Sequence, residues 1–132
     1  MKKLNKLFLA MAPLATLMSL PFAQTAQAHG YISKPESRGY LCRLTQNTNC
    51  GNVVYEPQSL EGPDRFPETG PADGKIASAG HSAFSQLDSQ TISRWTKRNI
   101  KSGPNEFSWT FTANHSTRDW RYFITKTTWD PN

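Results

Sequence analysis

What this 132-residue chain lacks narrows its function quickly. It has no G-x-S-x-G turn, so the nucleophile elbow of a serine hydrolase is missing. It has no Gly-rich loop of the kind that cradles phosphate. No internal repeat or low-complexity linker divides it, and no stretch of the part after residue 28 carries the apolar spacing of a long amphipathic helix. Cysteine is scarce: Cys42 and Cys50 are the only two. Positive charge is scarcer than its total suggests. The formal charge is +5, but Lys2, Lys3 and Lys6 lie in the first 28 residues, which hold no acid, so the remainder carries +2. With no Lys/Arg run in that remainder, a nucleic-acid partner is set aside.

The one long apolar run, residues 7–20, is interrupted by Pro13 and followed by Pro21. It falls short of the roughly 20 apolar residues that a membrane-spanning helix needs. Three lysines ahead of it and Ala26-Gln27-Ala28 behind it complete the three parts of a secretory signal peptide over residues 1–28. Cleavage after Ala28 starts the mature chain at His29; cuts after Ala23 or Ala26 are the alternatives. The protein is therefore expected to be secreted, with no membrane attachment after cleavage. In an exported chain two cysteines usually pair. Free thiols, pairing with another chain and a two-cysteine metal site are the alternatives. A Cys42–Cys50 bridge, closing so short a loop, contributes roughly 2–3 kcal/mol.

Residues 29–132 make at most one domain. Phe107-Ser108-Trp109-Thr110-Phe111-Thr112 alternates apolar and polar, the period of a strand with one buried face. Gly103-Pro104-Asn105 ahead of it is turn chemistry. Arg121-Tyr122-Phe123-Ile124-Thr125 reads as the next strand, and Asn52-Val53-Val54-Tyr55 as a short one ended by Pro57. Residues 58–82 hold Pro, Gly, Asp and Ser without period and read as a long surface excursion with at most short helices. Leu87, Ile92 and Trp95 are candidates to anchor it to the core. The sum is all-β, an antiparallel sandwich with long loops. A sandwich normally takes about seven strands, and fewer are legible before the chain stops at Asn132, so the domain reads as either unusually small or incomplete.

Chemistry concentrates at His29. A histidine at a mature N-terminus offers its α-amine and Nδ1 to one metal ion. His115, just beyond a strand end, could supply a third nitrogen. Such an N-rich, flat set suits Cu(II). The amine has an ordinary pKa of about 8, so binding displaces its proton and weakens at low pH. The plain alternative is two solvated loop histidines. His81, in the loop-rich stretch, reads as a surface residue. Tyr55 beside Glu56, Gln58, Ser59 and Glu61 suits a carbohydrate face, because rings stack on sugars and polar groups bond hydroxyls. Tyr55 packed into the core is the alternative. Glu56 and Glu61 as the acid pair of a glycosidase have no distinctive spacing.

These residues lie in a longer series: His29-Gly30-Tyr31, Ser37-Arg38, Cys42 with Cys50, Tyr55-Glu56-Pro57-Gln58-Ser59, Glu61-Gly62, Phe66-Pro67, Gly70-Pro71-Ala72-Asp73-Gly74, Ile76-Ala77-Ser78-Ala79, Gly103-Pro104-Asn105, His115-Ser116-Thr117 and Trp120-Arg121-Tyr122-Phe123-Ile124-Thr125-Lys126. Together they resemble the bacterial lytic polysaccharide monooxygenases of auxiliary activity family ten, also called chitin-binding type-4 domains. The resemblance runs from His29 to Asn132. It implies an immunoglobulin/fibronectin III-like β-sandwich with a long loop-helix excursion after the first strand. It implies one copper ion held by the His29 amine and Nδ1 and by His115, with Glu61 lining the cavity beside it and Ala113 on the axial side. Tyr55, Glu56, Pro57, Ser59, Glu61 and Thr112 would form a flat face for crystalline chitin. The implied activity is oxidative cleavage, at C1, by a secreted monomer using an external electron donor and O2 or H2O2. The alternative is a non-catalytic chitin or N-acetylglucosamine-binding protein. Family members continue past the position of Asn132, with closing strands and an axial aromatic, so the resemblance implies a domain missing its C-terminal part.

Overall fold

A computed structural model of the chain describes residues 29–63, 65–113 and 117–126. The first strand, β1 (Gly30–Lys34), pairs antiparallel with β2 (Ser108–Phe111). The register sets Gly30 opposite Phe111, Tyr31 opposite Thr110 and Ile32 opposite Trp109. It then slips, because Lys34 rather than Ser33 faces Ser108. The extra residue makes a bulge, and the Ser33 hydroxyl donates to the Ser108 carbonyl at 3.2 Å. Pro35 ends β1, having no N–H to give to a ladder.

The chain then turns into α1 (Arg38–Arg43), capped by Ser37, whose hydroxyl accepts the Tyr40 N–H at 3.3 Å. Such a cap contributes about 1 kcal/mol. Helix α1 buries Gly39, Leu41 and Cys42. Short 3₁₀ turns follow at Gly51–Val54, Pro57–Ser59 and Ser82–Asp88. The core collects Cys42, Cys50, Val53, Phe84, Leu87 and Trp95, with Val54, Leu60 and Ala77 packed against it. Cys42 and Cys50 form the disulfide at its centre. Gly39 is needed for closeness: a Cβ there would stand 2.7 Å from Leu60 Cδ1.

The segment 94–98 is strapped across this unit. The Thr96 N–H donates to Asn47 Oδ1 at 3.0 Å, and the Thr96 hydroxyl to the Gln46 carbonyl at 3.0 Å. Arg94 bonds the Thr48 and Asn49 carbonyls at 2.7 and 3.1 Å. Arg98 Nε meets Glu36 Oε2 at 2.7 Å, which holds the Glu36 carboxyl below the usual range. The Arg38 and Arg94 guanidiniums lie over the Trp95 ring, 4.7 and 3.9 Å from its centre, and its N–H donates to the Ser89 carbonyl at 2.7 Å. Burial draws the Arg38 guanidinium below its ordinary range, opposed by the charge of Asp88.

Four expectations change. Residues 52–55 are not a strand. A left-handed Gly51 (φ 68°) leads into a 3₁₀ turn that drops Val53 into the core, so packing overrides β propensity. Residues 121–125 belong to no strand among the described residues. Of the three expected anchors, Leu87 and Trp95 are buried, while Ile92 is 64% exposed. The alternation through β2 is present, but its apolar members Trp109 and Phe111 are 38% and 42% exposed and, among the described residues, rest on Trp120 with no second layer over them. The long loop-helix excursion after the first strand stands as expected. The described residues hold one small antiparallel sheet and few helices.

Candidate functional site

The sheet fixes the backbone of His29 one step before β1. Its carbonyl accepts the Thr112 N–H at 2.8 Å, the Thr112 hydroxyl at 3.2 Å and the Ala113 N–H at 3.4 Å. The ladder is thereby extended one residue past the Gly30–Phe111 pair. Thr112, expected on the binding face, is exposed and clamps His29.

The turn Pro57–Ser59 packs against β1 and delivers Glu61 to the same place. Pro57 is fully buried beneath the face. Its fixed φ suits the first position of a tight turn, and it packs on the side of α1 that carries Gly39. The Ser59 N–H donates to the Glu56 carbonyl at 3.0 Å and the Glu61 N–H to the Ser59 carbonyl at 3.0 Å. Glu61 Oε1 then lies 3.6 Å from His29 Nδ1, with both side chains about three-tenths exposed. That oxygen is buried and has no hydrogen-bond partner among the described residues. A buried carboxylate oxygen left without a donor is costly.

Tyr55 is 78% exposed, which decides between the two readings of that residue in favour of the surface. Arg43, in the last turn of α1, donates to the Tyr55 carbonyl at 3.0 Å and holds it in place. Sequence reasoning did not single out Arg43; a basic residue closing a helix beside a loop carbonyl was the available signal. Glu56 is exposed and Ser59 half-buried. His81 is exposed and packs edge-on to Phe84, so it stays a surface residue. His115 lies outside the described residues, as do residues 1–28. His29, Glu61, Thr112 and the turn Pro57–Ser59 are thus brought together.

Among the described residues no three His, Cys, Asp or Glu side chains cluster as metal ligands. The donor set nonetheless suits a cation: an imidazole nitrogen faces an orphaned carboxylate oxygen, and cleavage after Ala28 would add an amine on the same residue. Imidazole nitrogen suits copper as well as zinc, iron and nickel.

Residues 29–132 match the family model described as lytic polysaccharide mono-oxygenase, cellulose-degrading. GlcNAc-binding protein A of Shewanella oneidensis is 59% identical over the whole of this chain, which spans 28% of that protein. The protein of the same name from Photobacterium profundum is 57% identical over 84% of this chain and 25% of its own length. Thus the chain spans only about a quarter of the length of these relatives. Among solved structures, an AA10 LPMO from Photorhabdus luminescens is 53% identical with a TM-score of 0.76, over 79% of this chain and 62% of that one. A Bacillus amyloliquefaciens CBM33 in complex with Cu(I) is 45% identical with a TM-score of 0.74, over 79% of this chain and 65% of that one.

Proposed function

This chain belongs to the lytic polysaccharide mono-oxygenase family that its residues 29–132 match, and from that premise we propose that it is a secreted, copper-dependent enzyme cleaving crystalline chitin oxidatively, at C1. The observation that carries the reading is the meeting of His29 Nδ1 with the orphaned, buried Oε1 of Glu61 at the end of the sheet. A relative solved with Cu(I) supports the metal. The GlcNAc-binding name of the curated relatives supports chitin as the polymer.

In this reading residues 1–28 are the leader, and residues 29–132 belong to one catalytic domain that completes as a β-sandwich and acts as a monomer. His29 gives its amine and Nδ1 to one copper ion, and His115 gives a third nitrogen. Bound there, copper would supply the one-electron chemistry that activates O2 or H2O2 when an external donor reduces it. The chain's own part is geometric. The Thr112 and Ala113 amides hold the His29 carbonyl, so the residue carrying two ligands cannot drift from the sheet. Glu61 presents Oε1, the atom able to hold a proton or face positive charge. The Tyr55 ring offers a stacking surface to a sugar, and Glu56, Ser59 and Thr112 offer hydrogen bonds to hydroxyl and N-acetyl groups. Such an open face suits a flat crystal that could not enter a cleft.

The second reading is a non-catalytic N-acetylglucosamine-binding protein, favoured by the names of the same relatives. Incubation of the processed chain with β-chitin, copper and ascorbate separates the two. Oxidised chito-oligosaccharides seen by mass spectrometry, and lost in His29→Ala, are expected. Binding to chitin with no products would support the second reading. Products with ordinary reducing ends would point instead to hydrolysis.

A further inference from the structure

The fold encloses a cavity of about 320 Å³ that none of His29, Glu61 and Tyr55 lines. Its walls come from two segments far apart in sequence. Glu36, Arg38 and Leu41 belong to the corner between β1 and α1, and residues 90–92 and 95–98 to the segment strapped across the core. The buried Asn47 holds the two walls at a fixed spacing. Its amide N–H donates to the Arg38 carbonyl at 3.3 Å, and its Oδ1 accepts the Thr96 N–H at 3.0 Å. The contact of Arg98 Nε with Glu36 Oε2 at 2.7 Å ties the walls a second time. The cavity is small for a ligand pocket, but it lies within the usual range.

Leu41, Ile92 and Trp95 give the lining apolar surface, and Arg38, Lys97 and Arg98 give it positive charge. Glu36 is the one acid among the lining residues, and Arg98 already holds its carboxylate. Arg38 and Lys97 are left without an opposite charge in the lining. A guanidinium carries five N–H donors. Among the described residues that of Arg38 makes one hydrogen bond, from Nη1 to the Leu87 carbonyl at 2.7 Å. Burial disfavours its charged form, and the charge of Asp88 offsets only part of that cost. A half-buried cation with donors to spare is the partner that an anion suits. Lys97 is exposed and has no ion pair or hydrogen bond among the described residues.

The guanidinium fork matches a carboxylate in two parallel hydrogen bonds. A carboxylate on a flat apolar ring uses both parts of the lining. An inorganic anion would leave the apolar part unused, and a neutral ring the cationic part. We propose that this cavity is a binding site for a small aromatic carboxylate, with its anionic end on Arg38 and Lys97 and its ring against Leu41, Ile92 and Trp95. The inference stands apart from the copper reading and needs no metal.

The test titrates benzoate into the metal-free chain and follows the Trp95 indole N–H and the Thr96 amide by NMR. Saturable shifts of both are expected, with a Kd of about 1 mM, as suits so small a ligand. Acetate lacks the ring and benzyl alcohol the charge, so each should bind about tenfold more weakly. Arg38→Lys keeps the charge and loses the fork, and should weaken benzoate about tenfold. Ile92→Ser and Lys97→Ala alter exposed side chains, so the melting temperature should hold, while each weakens benzoate about threefold. If Arg38→Lys fails to fold, these two variants carry the decision. Absence of saturable shifts at Trp95 and Thr96 would overturn the proposal. So would acetate or benzyl alcohol binding as tightly as benzoate, or unchanged benzoate affinity in both exposed-site variants.

Discussion

The loop-rich stretch 38–95 and the aromatic stretch 107–126 end in opposite places. The first has turn residues, no period and only one short α-helix, yet it holds the core, with Leu41, Cys42, Cys50, Val53, Leu87 and Trp95 buried. The second carries the clearest alternation in the chain, yet Trp120, Tyr122, Phe123 and Ile124 are 47–90% exposed. Its rings lean on one another, Trp109 on Trp120 at 4.7 Å and Phe107 on Tyr122 at 5.3 Å. Alternation states how a strand presents its faces; whether a face is buried depends on a second layer to cover it. A disulfide and close turns can build a core with almost no regular structure, because they bring apolar groups together without needing a ladder.

The comparison is most easily broken at Leu87. Leu87→Ala should cost about 2–5 kcal/mol in urea unfolding, whereas Ile124→Ala, at 90% exposure, should stay within about 0.5 kcal/mol; similar costs would erase the contrast. Replacing Cys42 and Cys50 together by serine should destabilise by roughly 2–3 kcal/mol, read as a lower denaturant midpoint. The aromatic face should bind a hydrophobic dye such as ANS, and Trp109→Ser with Phe111→Ser should lower the dye signal by about half with little change in unfolding. A smaller effect belongs to the Glu36–Arg98 pair. Since the folded Glu36 carboxyl sits below its unfolded value, its contribution is present above the ordinary carboxylate range and is lost as pH falls through the depressed value. Glu36→Gln should therefore lower the melting temperature at neutral pH and flatten the acid side of its pH profile.

The candidate site was legible where residue type alone carries chemistry. His29, Glu61 and Tyr55 were singled out from the sequence, and the structure brings His29 to Glu61 and leaves Tyr55 exposed. The parts that were not legible depend on three-dimensional neighbours. Pro57 looks the same in a sequence whether it faces a ligand or lies beneath the surface. The helix-like turn at Gly51–Val54 follows from a left-handed glycine beside a disulfide, against the β preference of two valines. The use of the Thr112 amide and hydroxyl on His29 pairs residues 83 positions apart that no local pattern links.

The burial of the Cys42–Cys50 bridge has a bearing on durability. The proposed site, fed by an external reductant, would work amid electrons and oxidants that attack exposed sulfur. Here the two cysteines are 1% and 2% exposed, closed in by Val53, Phe84, Leu87 and Trp95. A small thiol or thiolate cannot line up on either sulfur without first opening that cluster. The bond that ties α1 to the turn below Tyr55 is thus shielded kinetically, at a rate set by local unfolding, from the chemistry that the surface above it is proposed to perform.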